Sequence, residues 1–360
     1  MIKKIGCTIT IAVLFLISNL SCSSTSVFDK VYPTLNDGTY DSEFPYRNSS
    51  IQLEEISRSI RLINSIAFYT SYVFDPSSQF IASSVSKINF EKAAIEQVNF
   101  NRSASGTSTI ILEDRGTVAL LTVAHVVSFP DTIISHFVNP DGSFSQYIQS
   151  VSIKTKQTNY VPDLPDNGEV EILLLDRTRD VALLGRHFSQ TKTFSMPVFK
   201  YPWGKSSELE WGSFVYVFGF PMNYKMISKA IVSSPNKEKY SFLIDAVFNR
   251  GYSGGIVLAI RDGVPNFELV GLVRSVPAEY QYTLRPLIKE QDFDFNPMLP
   301  FKGEAYVDRE QVLRTGITKI IRIEVVKEFI LDHKQELIEK GYFLRDLFNV
   351  PDSPKLKTIH

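Results

Sequence analysis

The stretch Gly251-Tyr252-Ser253-Gly254-Gly255 sets one serine among three glycines, directly ahead of the apolar run Ile256-Val257-Leu258. That composition demands a tight turn feeding a strand, and the missing Cβ atoms let another chain approach the serine hydroxyl closely. Such a turn also aims main-chain N–H groups at the space in front of the hydroxyl, where charge on a reacting carbonyl oxygen would be stabilised. Taken alone, the five residues also fit an ordinary loop. Two other stretches take them out of isolation. Leu121-Thr122-Val123-Ala124-His125-Val126-Val127 holds a histidine in an apolar run, and Arg179-Asp180-Val181-Ala182-Leu183-Leu184 sets a carboxylate ahead of another. A base, a group to orient it and a hydroxyl to be activated therefore occur in the order His, Asp, Ser.

A serine hydroxyl is a weak nucleophile near neutral pH and needs an adjacent base. His125 can take the Ser253 proton, and Asp180 can hold the imidazole in the required tautomer and stabilise its charged form. The competing residues fit less well. His136 and His187 lie in polar surroundings, His333 falls on a helical pattern and His360 ends the chain. Asp176 ends one apolar run, whereas Asp180 directly precedes the next. No His/Cys cluster at metal-ligand spacing is visible, and this chemistry requires neither metal nor cofactor.

Strand signals dominate the middle of the chain. Ile66–Phe74, Thr109–Leu112, Val118–Val123, Val170–Leu175, Phe214–Phe218, Phe242–Phe248, Gly255–Ile260 and Leu269–Val273 are short β-prone runs with turn residues between them, which suggests a barrel or sandwich. Leu53, Ile56, Ile60 and Ile63 predict one amphipathic helix. Val326, Phe329, Ile330, His333 and Leu337 predict another, ending at Gly341. Pro140–Gly168 and Pro277–Gly303 read as long connections, of the kind that are usually functional in a compact domain.

The three motifs, in that order, resemble the chymotrypsin-fold (trypsin-like) serine proteases, most closely their bacterial HtrA-type branch. Leu209-Glu210-Trp211-Gly212-Ser213 through Phe218-Gly219-Phe220-Pro221, the strand Ala230-Ile231-Val232-Ser233-Ser234 and the pair Asp245-Ala246 extend the likeness, which covers roughly residues 100 to 276. Tyr252 stands where that branch usually has Asn, Ile256-Val257 replaces Pro-Leu, and Arg250 takes the place of a frequent proline. No later region reads like a PDZ domain, so a stand-alone peptidase module is expected. The resemblance implies an all-β fold of two packed six-stranded antiparallel barrels with a C-terminal helix. The first barrel would carry His125 and Asp180 and the second Ser253, with a crossover near Phe188–Trp211. It implies an oxyanion hole from the N–H groups of Gly251 and Ser253, and a structural role for Asp245. It places Val247 at the base of the substrate pocket, with walls around Leu272, Val273 and Arg274. An apolar base there favours small or medium aliphatic side chains, because burying an unpaired charge costs several kcal/mol. The substrates implied are proteins or peptides, cleaved through an acyl-enzyme.

Two other classes compete. An α/β-hydrolase esterase also uses G-x-S-x-G, but orders its triad Ser, Asp, His with the serine between strand and helix. A protease fold that has lost catalysis can persist as a binding or scaffold protein; retention of all three residues argues against that.

At the N-terminus, Lys3 and Lys4 precede the apolar Thr8–Ile17, followed by Ser21-Cys22-Ser23-Ser24. That is an export signal, too short for a comfortable membrane span. Cys22 resembles a lipidation site, with Asn19 an atypical neighbour. The expected organisation is a signal peptide over residues 1–21, a polar tether over 22–55, one peptidase domain over 56–340 and a tail over 341–360. The protein would then be exported and held to a bacterial envelope membrane by lipid on Cys22, the other possibility being a freely secreted enzyme. Cys7 and Cys22 are the two cysteines of the sequence, so the mature chain is expected to be stabilised by its core rather than by disulfides. A net charge of -1 in 360 residues gives no electrostatic reason to expect nucleic acid as a partner. The sequence does not fix an oligomeric state.

Overall fold

The computed structural model describes residues 37–45, 47–139, 142–188, 196–235, 238–246, 249–275, 278–286, 298, 305–313, 316–344 and 347–348. Cys22, Val247, Phe248 and the signal segment lie outside these residues.

The first barrel is built from β1 (Ile60–Val73), β2 (Glu96–Asp114), β3 (Thr117–Thr122), β7 (Val181–His187), β6 (Glu169–Asp176) and β5 (Phe144–Tyr160), hydrogen-bonded in that order. Closure comes from β1, which pairs on one edge with β2 from Ile60↔Thr109 to Val73↔Glu96. On its other edge it pairs with β5 from Asn64↔Tyr160 to Val73↔Ser150. β4 (Thr132–Val138) is added outside the closed ring, on β5. The second barrel closes in the order β10 (Ser241–Ala246), β15 (Gly316–Arg322), β12 (Phe267–Ser275), β11 (Ile256–Ile260), β8 (Phe214–Gly219) and β9 (Met226–Ser234). Two six-stranded antiparallel barrels are what the resemblance implied. Between β12 and β15 runs a separate two-stranded ribbon, β13 (Ala278–Pro286) with β14 (Ala305–Leu313).

Successive side chains of a strand point to opposite faces, and β8 shows how this joins the barrels. Val215 and Val217 enter the second core with Val232, Phe242, Ile244, Val257, Val270 and Ile320. Phe214, Tyr216 and Phe218 belong instead to the larger cluster containing Leu120, Val126 and Leu183 of the first barrel. Each large side chain fully buried in this way contributes about 1.5–3 kcal/mol, so the inter-barrel face is part of one continuous core.

Several expectations are corrected. The first helix is Ser50–Ser57, and Ile60 and Ile63 fall instead in β1. An i, i+3 spacing of isoleucines cannot separate a helix from a strand with buried residues on both faces. The connection expected over Pro140–Gly168 contains the 17-residue strand β5, and that over Pro277–Gly303 contains β13. β5 is rich in Ser, Thr, Gln and Lys, so its few buried apolar residues give a weak signal. The terminal helix breaks at His333 into Ile323–Asp332 and Lys334–Glu339. Gly341, at φ +83°, does end it. Tyr342 and Leu347 then pack into the core, so the expected tail is docked over these residues.

The expected tether is likewise packed against the second barrel from Tyr40 onward. The Tyr40 hydroxyl donates to Glu268 at 2.6 Å, and the Arg261 guanidinium lies 4.0 Å from its ring centroid. The Asp41 N–H donates to Ile260 O at 2.9 Å, and Phe214 N–H donates to Asp41 O at 2.8 Å. The buried Asp41 carboxylate accepts from Gly263 N–H at 3.1 Å. Burial outweighs that bond, and the nearby Glu43, Asp262 and Asp37 add to it, pushing the Asp41 carboxyl up to about 6 from 3.8. Because the native state binds this proton more tightly, the contribution of Asp41 to stability is greatest at low pH. It is lost as pH rises from about 4 to about 6. Asp41→Asn is therefore expected to be more stable than the parent above pH 6 by on the order of 2 kcal/mol. The advantage should shrink toward pH 4 in urea melts; a constant difference across that range would refute the assignment.

Candidate active site

His125 lies on a single helical turn, Ala124–Val127, that leaves the end of β3. Ala124, Val126 and Val127 are buried in the first barrel, which points the histidine side chain outward; it is 44% exposed. Asp180 ends the β6–β7 turn. The Asp176 carboxylate shapes that turn by accepting from Thr178 N–H at 2.8 Å and Arg179 N–H at 2.9 Å. Asp180 itself is left-handed at φ +59°, a conformation that Asp tolerates better than most residues. Its carboxylate is buried and faces His125. Oδ2 lies 2.9 Å and Oδ1 3.1 Å from His125 Nδ1, and Oδ1 also accepts the His125 main-chain N–H at 2.9 Å. Asp180, not its neighbour Asp176, thus holds the histidine by both ring and backbone.

Ser253 sits in the β10–β11 turn of the second barrel. Gly251 and Gly254 have φ +109° and +83°, so a side chain at either would be strained. Within the turn, Tyr252 N–H donates to Asn249 O at 3.5 Å, Gly254 N–H to Val273 O at 2.9 Å and Gly255 N–H to Tyr252 O at 2.8 Å. The N–H groups of Gly251 and Ser253, the pair expected to form an oxyanion hole, donate to nothing among the described residues. Tyr252 is buried, its hydroxyl 2.7 Å from Ser228 Oγ; burial raises that hydroxyl above the usual tyrosine range, with the Ser228 bond opposing. Its ring fills the space beside Gly219, where a Cβ would come within 2.3 Å.

Two residues hold this site in ways sequence reasoning did not find, Arg274 having been expected only at the pocket wall. Thr107 of β2 reaches across from the first barrel. Its N–H donates to Ser253 O at 2.7 Å and its hydroxyl to Gly251 O at 2.7 Å, while Phe220 N–H donates to that hydroxyl at 3.0 Å. Thr122 Oγ1 in turn donates to Thr107 O at 2.7 Å. Arg274 of β12 is the second. Its carbonyl accepts from Ser253 Oγ at 3.4 Å, and its Nε lies 3.2 Å from Asp180 Oδ2. Among the described residues no hydrogen bond joins Ser253 Oγ to His125. Active-site bonds of this kind are often long until substrate is bound.

Of the expected pocket residues, Val247 lies outside the described residues. Leu272 and Val273 are both buried, Leu272 in the inter-barrel cluster and Val273 inside the second barrel. Asp245 is exposed on β10, opposite Ile317 and Ile231.

Two closed barrels with a histidine–aspartate pair on one and a glycine-flanked serine on the other define a protein of the chymotrypsin-like fold. Residues 106–272 match the family model of the trypsin-like peptidase domain, so this part of the chain is similar to the trypsin-like serine proteases. No curated protein matches the chain. Among solved structures it is similar to an HtrA-type protease, AlgW, described with a tripeptide, at 16% identity and a TM-score of 0.37. That similarity covers 82% of this chain, which spans 65% of the length of AlgW. A thermostable serine protease, AL20, from an extremophilic microorganism is similar at 10% identity and a TM-score of 0.33, over 76% of this chain and 96% of that one. Likenesses this loose bear on neither branch nor substrate.

Proposed function

We propose that the chain is a serine endopeptidase with His125, Asp180 and Ser253 as its triad. The observation that carries this reading is the double hold of Asp180 on His125, through the ring and the main chain. In the reacting state the Ser253 hydroxyl would exchange Arg274 O for His125 Nε2. Ser253 Oγ then bonds to the scissile carbonyl carbon while its proton passes to His125. The Gly251 and Ser253 N–H groups receive the oxyanion. On collapse the C–N bond breaks, and the amine leaves with the proton from His125. Water, deprotonated by the same histidine, releases the acyl group and restores the serine. A fluorophosphonate probe should label the chain at Ser253, and casein-like protein should be cleaved. Mass spectrometry of the products should show small or medium aliphatic residues before the cleaved bond. Dominant Lys or Arg there would overturn the apolar pocket based on Val247. A chain inert to both probe and casein would instead be a protease-fold binding or scaffold protein.

The proposed setting is the bacterial envelope, with the mature chain held by lipid on Cys22 and acting on envelope or extracellular proteins within reach. At about 0.8 kcal/mol per buried methylene, two or more acyl chains anchor a protein stably. In detergent partitioning the parent should enter the detergent phase and Cys22→Ala the aqueous phase. Parent chain found wholly in the aqueous phase, with an unmodified N-terminus, would exclude the anchor.

A further inference from the structure

We propose that Arg274 is a positioning residue that restrains the basicity of His125 by sharing the Asp180 carboxylate; this rests on the reading of His125 as general base. The bond pattern of β12 aims it there. β12 pairs with β15 at Val273↔Ile320 and then at Ser275↔Lys319, so Arg274 is skipped in the ladder. An irregularity of this kind re-aims a side chain. The Arg274 side chain, one-third exposed, crosses to the first barrel and places Nε 3.2 Å from the same Oδ2 that lies 2.9 Å from His125 Nδ1.

A lone carboxylate beside the ring favours the imidazolium that forms when the serine proton moves. A guanidinium on the same oxygen cancels part of that field, so the charged ring is less favoured than the histidine–aspartate pair alone would make it. The other charges nearby are committed elsewhere. Asp176 and Arg179 pair with each other, and Arg179 also pairs with Asp332. Arg177 donates to Ser128 Oγ, and Lys154 of β5 is held by Asp131 and Phe129 O. Glu238, before β10, is paired with Lys319 and also feels the Arg274 charge, so this guanidinium faces a second carboxylate besides Asp180. Among the described residues Arg274 is the one cation on the Asp180 carboxylate. By the same residue's carbonyl, the resting serine hydroxyl is held as well.

The test follows the His125 ring signals by NMR against pH in full-length protein carrying Ser253→Ala, which removes self-cleavage. In this background the neutral variants Arg274→Gln and Arg274→Met should both move the midpoint of the His125 transition upward by about half to one pH unit, a 3- to 10-fold change in proton affinity. Arg274→Lys, which retains the charge, should stay near the parent. With Ser253 restored, the acid limb of fluorophosphonate labelling should move with the ring signals. An unmoved midpoint in the neutral variants, or Arg274→Lys shifted as far as Arg274→Gln, would overturn the proposal, since a structural role moves activity without moving the titration. A moved midpoint in a chain that never reacts with the probe would overturn the peptidase reading and leave the Arg274 coupling standing.

Discussion

Ser253→Ala and His125→Ala are each expected to lower turnover of an unfolded protein substrate by roughly 10⁴- to 10⁶-fold, and the double variant by little more than either alone. The non-additivity is the informative part. If the hydroxyl, ring and carboxylate act as one unit, removing the second member costs almost nothing once the first is gone. Neither substitution should disturb the fold. The His125 side chain is half exposed, and the structural work at Ser253 is done by its carbonyl, which accepts from Thr107 N–H. Urea midpoints should therefore stay within about 1 kcal/mol of the parent. Additive losses, or a Ser253→Ala protein that still cleaves substrate, would rule out the triad.

The second large effect is expected at Gly254, and it is one of stability. A Cβ built there lies 2.2 Å from Thr107 O and 2.4 Å from Thr122 Oγ1, at a φ of +83°. The nearer atom is backbone of the opposite barrel and cannot swing aside. Strain and overlap together should cost about 3 kcal/mol or more in Gly254→Ala, enough to pull the serine turn from β2. Gly142 provides the control. Its φ is +81° but nothing lies within 4 Å of its Cβ position, so Gly142→Ala should lose only the left-handed backbone preference, about 1 kcal/mol. Equal urea midpoints for the two variants would mean that the barrels are not clamped at this point.

The parts of the site legible in the sequence were those carried by short motifs. Ala124-His125-Val126-Val127 gives a buried turn with one outward residue, and the position of Asp180 immediately before an apolar strand distinguishes it from Asp176. Thr107 gave no such signal, and the resemblance placed Arg274 only at a pocket wall. Thr107 lies in the polar run Ser103-Ala104-Ser105-Gly106-Thr107-Ser108, and its partners Gly251 and Ser253 are far along the chain. Arg274 is aimed by one skipped pair in a ladder, which no local pattern encodes. The fold was legible where strands are apolar, as in β3, β7, β8 and β11, and lost in β5, a long strand whose polar residues occupy exposed, half-buried and, at Ser152 and Asn159, buried positions. The docked Tyr40 and Asp41 were hidden for a related reason, since isolated residues in a polar stretch look the same whether free or bound.

The place of β15 bears on when the centre comes into being. Residues 316–322 sit between β10, the strand that leads into the serine turn, and β12, and seal the second barrel. A chain emerging from its N-terminus would present His125, Asp180 and Ser253 long before that sealing strand arrived. Until then the serine turn would hang from an open sheet, without a fixed register against Thr107. On the proposed reading, the centre would be complete only once β15 has joined β10 and β12.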